Sequence, residues 1–405
     1  MKILHINCSD SGSTGKIISD ISRYVYSKGG ASVLCAPKIT DNNNEQILKK
    51  YAVCLRHEQG VYGRFSYISG IPYGFAPIST HKILNVIKLE KPDIVHLHSI
   101  NVNMVNVYKL LNFLKKQNIR TIVTNHAEFL YTGNCAHSEE CENWKKGCGN
   151  CPMLKKATGS NFFDKTKASF KKMEKAFKGF KDLSIVSVSP WSKDRAKLSP
   201  IMDNYKHYII ENGINTDVFN TEDYSCFDSK KSEKIILYVT SYFTNSPLSV
   251  KGGEYFIELA RRFQKDNIKF VVAAGTSNIN IALPDNILLL GNIRNQSELA
   301  TWYKKADLTV LTSKRETFGM AVAESLCCGT PVVGFKCGGS ESIAIKDFTE
   351  FVEFGDIDAL ESAIRSEWLK FKENNNINEI SLIASKKYDS DIMAEKYYKL
   401  YTESE

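Results

Sequence analysis

The sequence predicts an α/β protein built from two parallel sheets, each covered by helices. Three observations lead there. Short, apolar, β-branched segments alternate with helical stretches along the chain. The alternation stops once, in the polar residues 215–233, and then resumes. With 405 residues, 43% hydrophobic and 24% charged, the chain has enough material for two or three domains with cores of their own.

In chain order, "KILHIN", "SVLCAP", "DIVHLHS", "RTIVTNH" and "LSIVSVSP" read as the strands of a first domain. Helices such as "GKIISDISRYVYSKG" and "VNVYKLLNFLKKQ" separate them. After the polar stretch, "KIILYVTS", "IKFVVAAG", "ILLLGNI", "DLTVLTS" and "PVVGF" read as the strands of a second. The expected organisation is a first domain at 1–210 with an insertion at about 127–155, a linker at 211–233, a second domain at 234–385 and a final segment at 386–405. Two such sheets imply a cleft between the domains, and ligands of parallel sheets bind at the carboxyl ends of the strands.

Composition narrows the class. No apolar run approaches the roughly 18 residues of a membrane span. "MKILHI" turns polar at Asn7, unlike a signal peptide, so a cytoplasmic location is expected. The net charge of +8 is uneven: 31 Lys and Arg against 16 Asp and Glu in residues 1–210, and 22 against 29 in the remainder. A basic first half suggests an anionic partner. No nucleic-acid module accompanies the charge, so an anionic membrane face, with a peripheral location on it, and a basic surface serving only solubility stay open.

The first strand runs into "NCSDSGSTGKII", residues 7–18. A P-loop is excluded, because Asp10 stands where its first glycine belongs and Ile17 where its hydroxyl belongs. A dinucleotide fingerprint is excluded by the lack of a third glycine after Gly12 and Gly15. What remains is a Gly-rich turn before a helix opening near Gly15, where backbone N–H groups could meet a phosphate.

The most informative stretch is "ADLTVLTSKRETFGMAVAESLCCGTPVVGFKCGGSES", residues 306–342. A strand leads to a loop with Glu316, then to a helix opening near Gly319 that contains Glu324. The helix opening offers N–H groups and a positive dipole end to a diphosphate. Eight residues of helix span about 12 Å, which suits a carboxylate at either end of a nucleotide sugar. Each carboxylate could accept two bonds from a vicinal diol. Cys327 and Cys328 read as packed small side chains beside the Gly-Thr-Pro turn.

Here the chain resembles the retaining glycosyltransferases of family 4, which have the GT-B fold. The likeness rests on Glu-x7-Glu followed by Cys-Gly-Thr-Pro-Val-Val and Gly-Gly. It extends to "IIENGINTDVF" (209–219), "SVKGGEYFIELA" (249–260) and "LLLGNIRNQSELATWYKKADLTVLTS" (288–313). The resemblance implies a nucleotide-diphosphate sugar as donor, a UDP-sugar favoured, and a glycan or lipid-linked acceptor. It gives Lys251 the diphosphate, Glu324 the ribose, and Glu316 with the backbone of Phe318, Gly319 and Met320 the donor sugar. It places His126 toward that sugar, Gly12 and Gly15 near the phosphates, Ile293 and Arg294 on the nucleobase side, and the final helix back on the first domain. No catalytic metal is implied. One departure stands out: "SYFTNSPLSVK" lacks the arginine that usually precedes the lysine, so Lys314 or Arg315 would have to assist. A nucleotide-sugar epimerase and a non-catalytic binding partner are the alternatives.

Two further stretches carry expectations. Cys135, Cys141, Cys148 and Cys151 have the spacing x5, x6, x2, which suits a structural zinc site, with disulfides or free thiols as rivals. Residues 155–181 hold nine lysines, with Phe163, Phe170, Met173, Phe177 and Phe180 at helical spacing. That stripe suits either a helix lying on anionic lipid or one packed on the sheet. His96 and His98 alternate along a strand, so at least one should face the core or a helix.

Overall fold

The computed structural model describes residues 1–40, 46–101, 103–160, 162–222, 233–276, 279–366, 368–374 and 377–403. The chain forms two compact units, Met1–Glu211 with Met393–Glu405, and Asn212–Ile392.

The first unit holds seven strands: β1 (Lys2–Ile6), β2 (Ala31–Ala36), β3 (Leu48–Ala52), β4 (Ile94–Leu97), β5 (Arg120–Asn125), β6 (Leu183–Ser187) and β7 (Lys206–Ile209). They pair in parallel in the order β3-β2-β1-β4-β5-β6-β7. The second unit holds six: β8 (Lys234–Phe243), β9 (Ile268–Thr276), β10 (Ile287–Gly291), β11 (Leu308–Leu311), β12 (Val332–Phe335) and β13 (Thr349–Val352). Their order is β10-β9-β8-β11-β12-β13, again parallel. Each sheet reverses its winding at one pair, β1/β4 and β8/β11, and parallel sheets open a ligand crevice at the carboxyl side of such a pair.

The interior strands are apolar because helices cover both of their faces. Ile3, Leu4 and Ile6 of β1 are fully buried, as are Ile236 and Leu237 of β8. The Gly253–Arg262 helix buries Phe256, Ile257, Leu259 and Ala260 against the second sheet. Cys327 and Cys328 are fully buried.

The basic stretch is two helices, Leu154–Thr158 and Thr166–Phe177, rather than one. Phe170, Met173, Phe177 and Phe180 lie in the first unit's core beside Leu110 and Leu111 of the Val107–Lys116 helix. These four side chains are therefore spent on packing. Phe163 precedes the second of these helices and is exposed. No described helix is long and apolar enough to cross a membrane.

Of the polar stretch expected as a linker, residues 223–232 lie outside the described residues. Residues 212–222 belong to the second unit: Ile214 bridges to Asp389, and buried Phe219 meets the Tyr303 ring at 6.2 Å. The last helix, Ser390–Thr402, places Met393, Tyr397, Leu400 and Tyr401 in one cluster with Ile3, Ile17, Ile21 and Val25 of the first unit. Arg120 donates to the carbonyls of Leu400 and Tyr401 at 2.8 and 2.9 Å.

Candidate active site

In the second unit, Lys251 follows β8 and Glu316 follows β11, so both stand at the carboxyl side of the switch pair. Lys251 Nζ donates to Glu316 Oε1 at 2.8 Å, and both side chains are about one-fifth exposed. Burial opposes the lysine's charge, but the carboxylate facing it more than compensates, and its pKa lies above the ordinary lysine value. Lys251 is thus a cation held at a site most of whose surface is closed to water. Its backbone is fixed from beneath, where the buried Tyr238 hydroxyl donates to the Lys251 carbonyl. Gly252, in a left-handed conformation, then caps the Gly253–Arg262 helix.

The Glu316 backbone is pinned to the Gly-Gly turn after β12. Its N–H donates to the Cys337 carbonyl at 3.0 Å, and its carbonyl accepts from Gly339 N at 2.8 Å. Glu341 closes that turn by accepting from the N–H groups of Cys337 and Gly338 at 2.8–2.9 Å. Phe318 is buried, Gly319 caps the Met320–Cys327 helix with φ at 91°, and Met320 opens it. A Cβ at Gly319 would lie 2.2 Å from Ser340 Oγ. The missing side chain therefore makes room for Ser340. Glu324 lies halfway along the helix, and its Oε2 accepts from the buried Tyr303 hydroxyl at 3.0 Å. Ile293 is half-buried and Arg294 exposed on the loop after β10, an edge strand. Lys314 Nζ lies 5.7 Å from the Phe354 ring centroid, so the lysine expected to assist at the phosphates sits over an aromatic face.

The first unit presents a different chemistry at the same place in its sheet. His5 on β1 pairs in register with His96 on β4; His98 and His126 follow the ends of β4 and β5. Their rings form a hydrogen-bonded chain. His126 Nε2 meets His98 Nδ1 at 3.2 Å, and His98 Nε2 meets His5 Nδ1 at 3.1 Å. His96 is held separately, by the Tyr401 hydroxyl at 2.6 Å and Thr124 Oγ1 at 2.7 Å. Among the described residues, His5, His96 and His98 are the group whose ligand atoms all lie within 4.8 Å of one another. Five of the trio's six ring nitrogens are engaged in these hydrogen bonds, and His5 Nε2 is buried without a partner among the described residues, so the rings form a positioned imidazole chain. Its outer member is His126.

Burial keeps all four rings neutral. It lowers His5 to about 3 and His126 to about 4, and it places His96 and His98 well below the ordinary histidine value. In the unfolded chain each titrates near 6.5. Below that pH the unfolded chain takes up protons that the folded one refuses, so stability falls as pH falls. Each such histidine contributes about 1.4 kcal/mol per pH unit. We expect the thermal midpoint to drop steeply between pH 6.5 and 4.5, and His5→Gln to reduce that slope by about one proton. A midpoint flat across this range, followed by circular dichroism, would contradict the neutral chain.

The Gly-rich turn differs from its expected form. The helix opens at Gly12, capped by Ser11, and Gly15 lies within its first turn. A Cβ on Gly15 would stand 2.7 Å from the Asp10 carbonyl carbon, so Gly15 lets the loop fold onto its own helix. Asp10 in turn accepts from Thr40 N and Oγ1 at 2.6 and 2.7 Å. Gly12, with φ at 71°, has open space where a side chain would be, and it is the glycine whose backbone a ligand could approach.

Sequence reasoning missed His5 and His98 as members of one chain, and Tyr303 as the partner of Glu324. The missing signal was strand order: His5 and His96 become neighbours only when β1 pairs with β4.

Residues 225–380 match the family model described as glycosyl transferases group 1. A D-inositol 3-phosphate glycosyltransferase of Mycobacterium tuberculosis is 26% identical over 155 residues, covering 34% of this chain and 31% of its own length. The chain thus matches about a third of that curated relative. A sucrose-phosphate synthase from Thermosynechococcus elongatus has a TM-score of 0.70 at 15% identity, over 99% of this chain and 98% of its own. HepE of Anabaena in complex with UDP-glucose has a TM-score of 0.64 at 14% identity, over 99% of both chains. The chain therefore has the GT-B fold, and residues 225–380, within its second unit, are similar to the glycosyl transferases group 1.

Proposed function

We propose that the protein is a retaining glycosyltransferase. Its donor is a nucleotide-diphosphate sugar, a UDP-sugar favoured, and its acceptor is a hydroxyl of a glycan or lipid-linked oligosaccharide. The observation that carries this reading is the Lys251–Glu316 pair at the carboxyl side of the β8/β11 switch, next to the opening of the Met320–Cys327 helix. A cation and helix N–H groups together suit a diphosphate, and a carboxylate suits the hydroxyls of a sugar. Glu324, oriented by Tyr303, suits a ribose diol. The complex of HepE with UDP-glucose supports the choice of donor, and the basic first unit supports an anionic, lipid-linked acceptor.

In the reaction the bond between the sugar's anomeric carbon and the diphosphate oxygen breaks. The acceptor oxygen bonds that carbon on the same face, and its proton passes to the departing diphosphate. Lys251 stabilises the charge that develops there, in a setting where water screens it little. No step of this reading needs a catalytic metal. His126 is the first unit's candidate contributor to the reaction.

A panel of nucleotide sugars tested for thermal stabilisation decides the donor. Ligand at a hundredfold excess over its Kd adds about 2.7 kcal/mol of stability, a shift of several degrees. We expect a UDP-sugar to give the largest shift, and Glu324→Ala to weaken its binding about 10-fold or more. No shift with any nucleotide sugar would remove the reading.

A further inference from the structure

The loop between β5 and the Leu154–Thr158 helix carries Cys135, Cys141, Cys148 and Cys151, four of the chain's eleven cysteines. None of the four is in a disulfide. The fold brings them around one cavity of about 10 Å³, room for roughly one water-sized sphere. A turn makes this possible: Cys148, Gly149 and Asn150 have φ of 56°, 106° and 48° in succession. With Gly147 before them at φ 110°, four consecutive residues of positive φ reverse the chain tightly, so both ends of the Cys-x2-Cys segment line the same cavity. Such a backbone is unfavourable for Cys148 and Asn150 unless something holds it.

The rest of the loop is anchored from outside. Buried Trp144 donates from Nε1 to the Cys141 carbonyl at 2.9 Å. Arg195 lies over the Trp144 ring and donates to Glu128 Oε1 at 2.8 Å. These contacts fix the frame of the loop but leave its centre to the four thiols.

We propose that this loop binds one zinc ion through the thiolates of Cys135, Cys141, Cys148 and Cys151, as a structural site that takes no part in the transfer chemistry. Four soft ligands in a closed set suit zinc and leave no open position for a substrate. Among the described residues the histidine trio alone brings three ligand atoms within 4.8 Å of one another, so no three of the four sulfurs are that close before an ion binds. Binding closes them to about 2.3 Å from the metal and releases their protons. The consequence reaches beyond the loop. Asn134 and Ala136, on either side of Cys135, line a polar cavity of about 290 Å³ with Ser66, Asn101 and Asn103. A bound ion would set one wall of that cavity.

The test reads metal directly and is independent of the transfer reaction, so it stands or falls apart from the proposed function. Full-length protein purified without chelator should carry about one zinc per chain by elemental analysis. Replacement by cobalt should give thiolate-to-metal charge transfer and the visible bands of a tetrahedral site. Cys148→Ser and Cys151→Ser should each lower the metal content at least about 10-fold. Should both variants fail to fold, stripping the wild-type protein with chelator and refilling it supplies the same readout: the thermal midpoint should fall and then recover with zinc. Metal-free wild-type protein that takes up no zinc or cobalt, or mass spectrometry showing disulfides among these cysteines, would overturn the proposal.

Discussion

Lys251→Ala should lower kcat for sugar transfer by about 10²–10³-fold, the scale of removing one preorganised charge stabiliser from a site shielded from water. Glu316→Gln should cost a similar factor for a different reason. In the wild type the carboxylate holds the Lys251 pKa above its ordinary value against the effect of burial. Without it the main influence opposing burial is gone, so the lysine loses its proton at lower pH. The residual activity of Glu316→Gln should therefore decline on the alkaline side before that of the wild type. Kinetics over pH 6–10 separate this from simple loss of a sugar contact, which would scale activity without moving the limb. The pair is partly exposed, so both variants should stay folded; an inactive but unfolded protein would say nothing for the role assigned here.

The second large effect is structural. A chain ending at residue 392 should fail to give a soluble, cooperatively folding protein. The lost segment buries Met393, Tyr397, Leu400 and Tyr401 in the first unit. Each such side chain contributes about 1.5–3 kcal/mol, against a net stability of about 5–15 kcal/mol for a typical domain. Deletion would also take the hydroxyl that holds His96 and both carbonyls that hold Arg120. Point variants grade the effect: Tyr397→Ala should cost about 3–5 kcal/mol and Tyr401→Phe about 1 kcal/mol in chemical denaturation. A truncated chain with an unchanged midpoint would show that the helix is dispensable.

How far the fold can be read from residues depends on where each strand sits. "KILHI" and "DIVHL" declare themselves because helices cover both faces of their strands, which leaves a nearly unbroken apolar run. "LKKYA", "KHYI" and "TEFV" pass unnoticed because β3, β7 and β13 are sheet edges and carry polar side chains. Lys49 and Tyr51 of β3 both donate to Glu90, a contact no periodicity reveals. The exception is β10, an edge whose Leu288 and Leu289 are exposed yet read plainly as strand.

The candidate site divides in the same way. Lys251, Glu316 and Glu324 are legible because each sits in a local motif whose spacing carries the geometry. The histidine chain is not, because its members come from three strands and meet only through the winding of the sheet. Gly319 is legible as a special backbone position, but its neighbour Ser340 is not, since it arrives from a turn about twenty residues later.

The helix Ser390–Thr402 has a consequence for biosynthesis. A ribosome releases the first sheet long before it releases the residues that seal one side of it. Until that helix emerges, the surface around Ile3, Ile17 and Val25 lacks its cover, and the nascent first unit must wait, incomplete, while the second is made. Chaperone demand during synthesis should therefore be set by the time taken to translate the second unit, and slowing synthesis there should lower the yield of native protein.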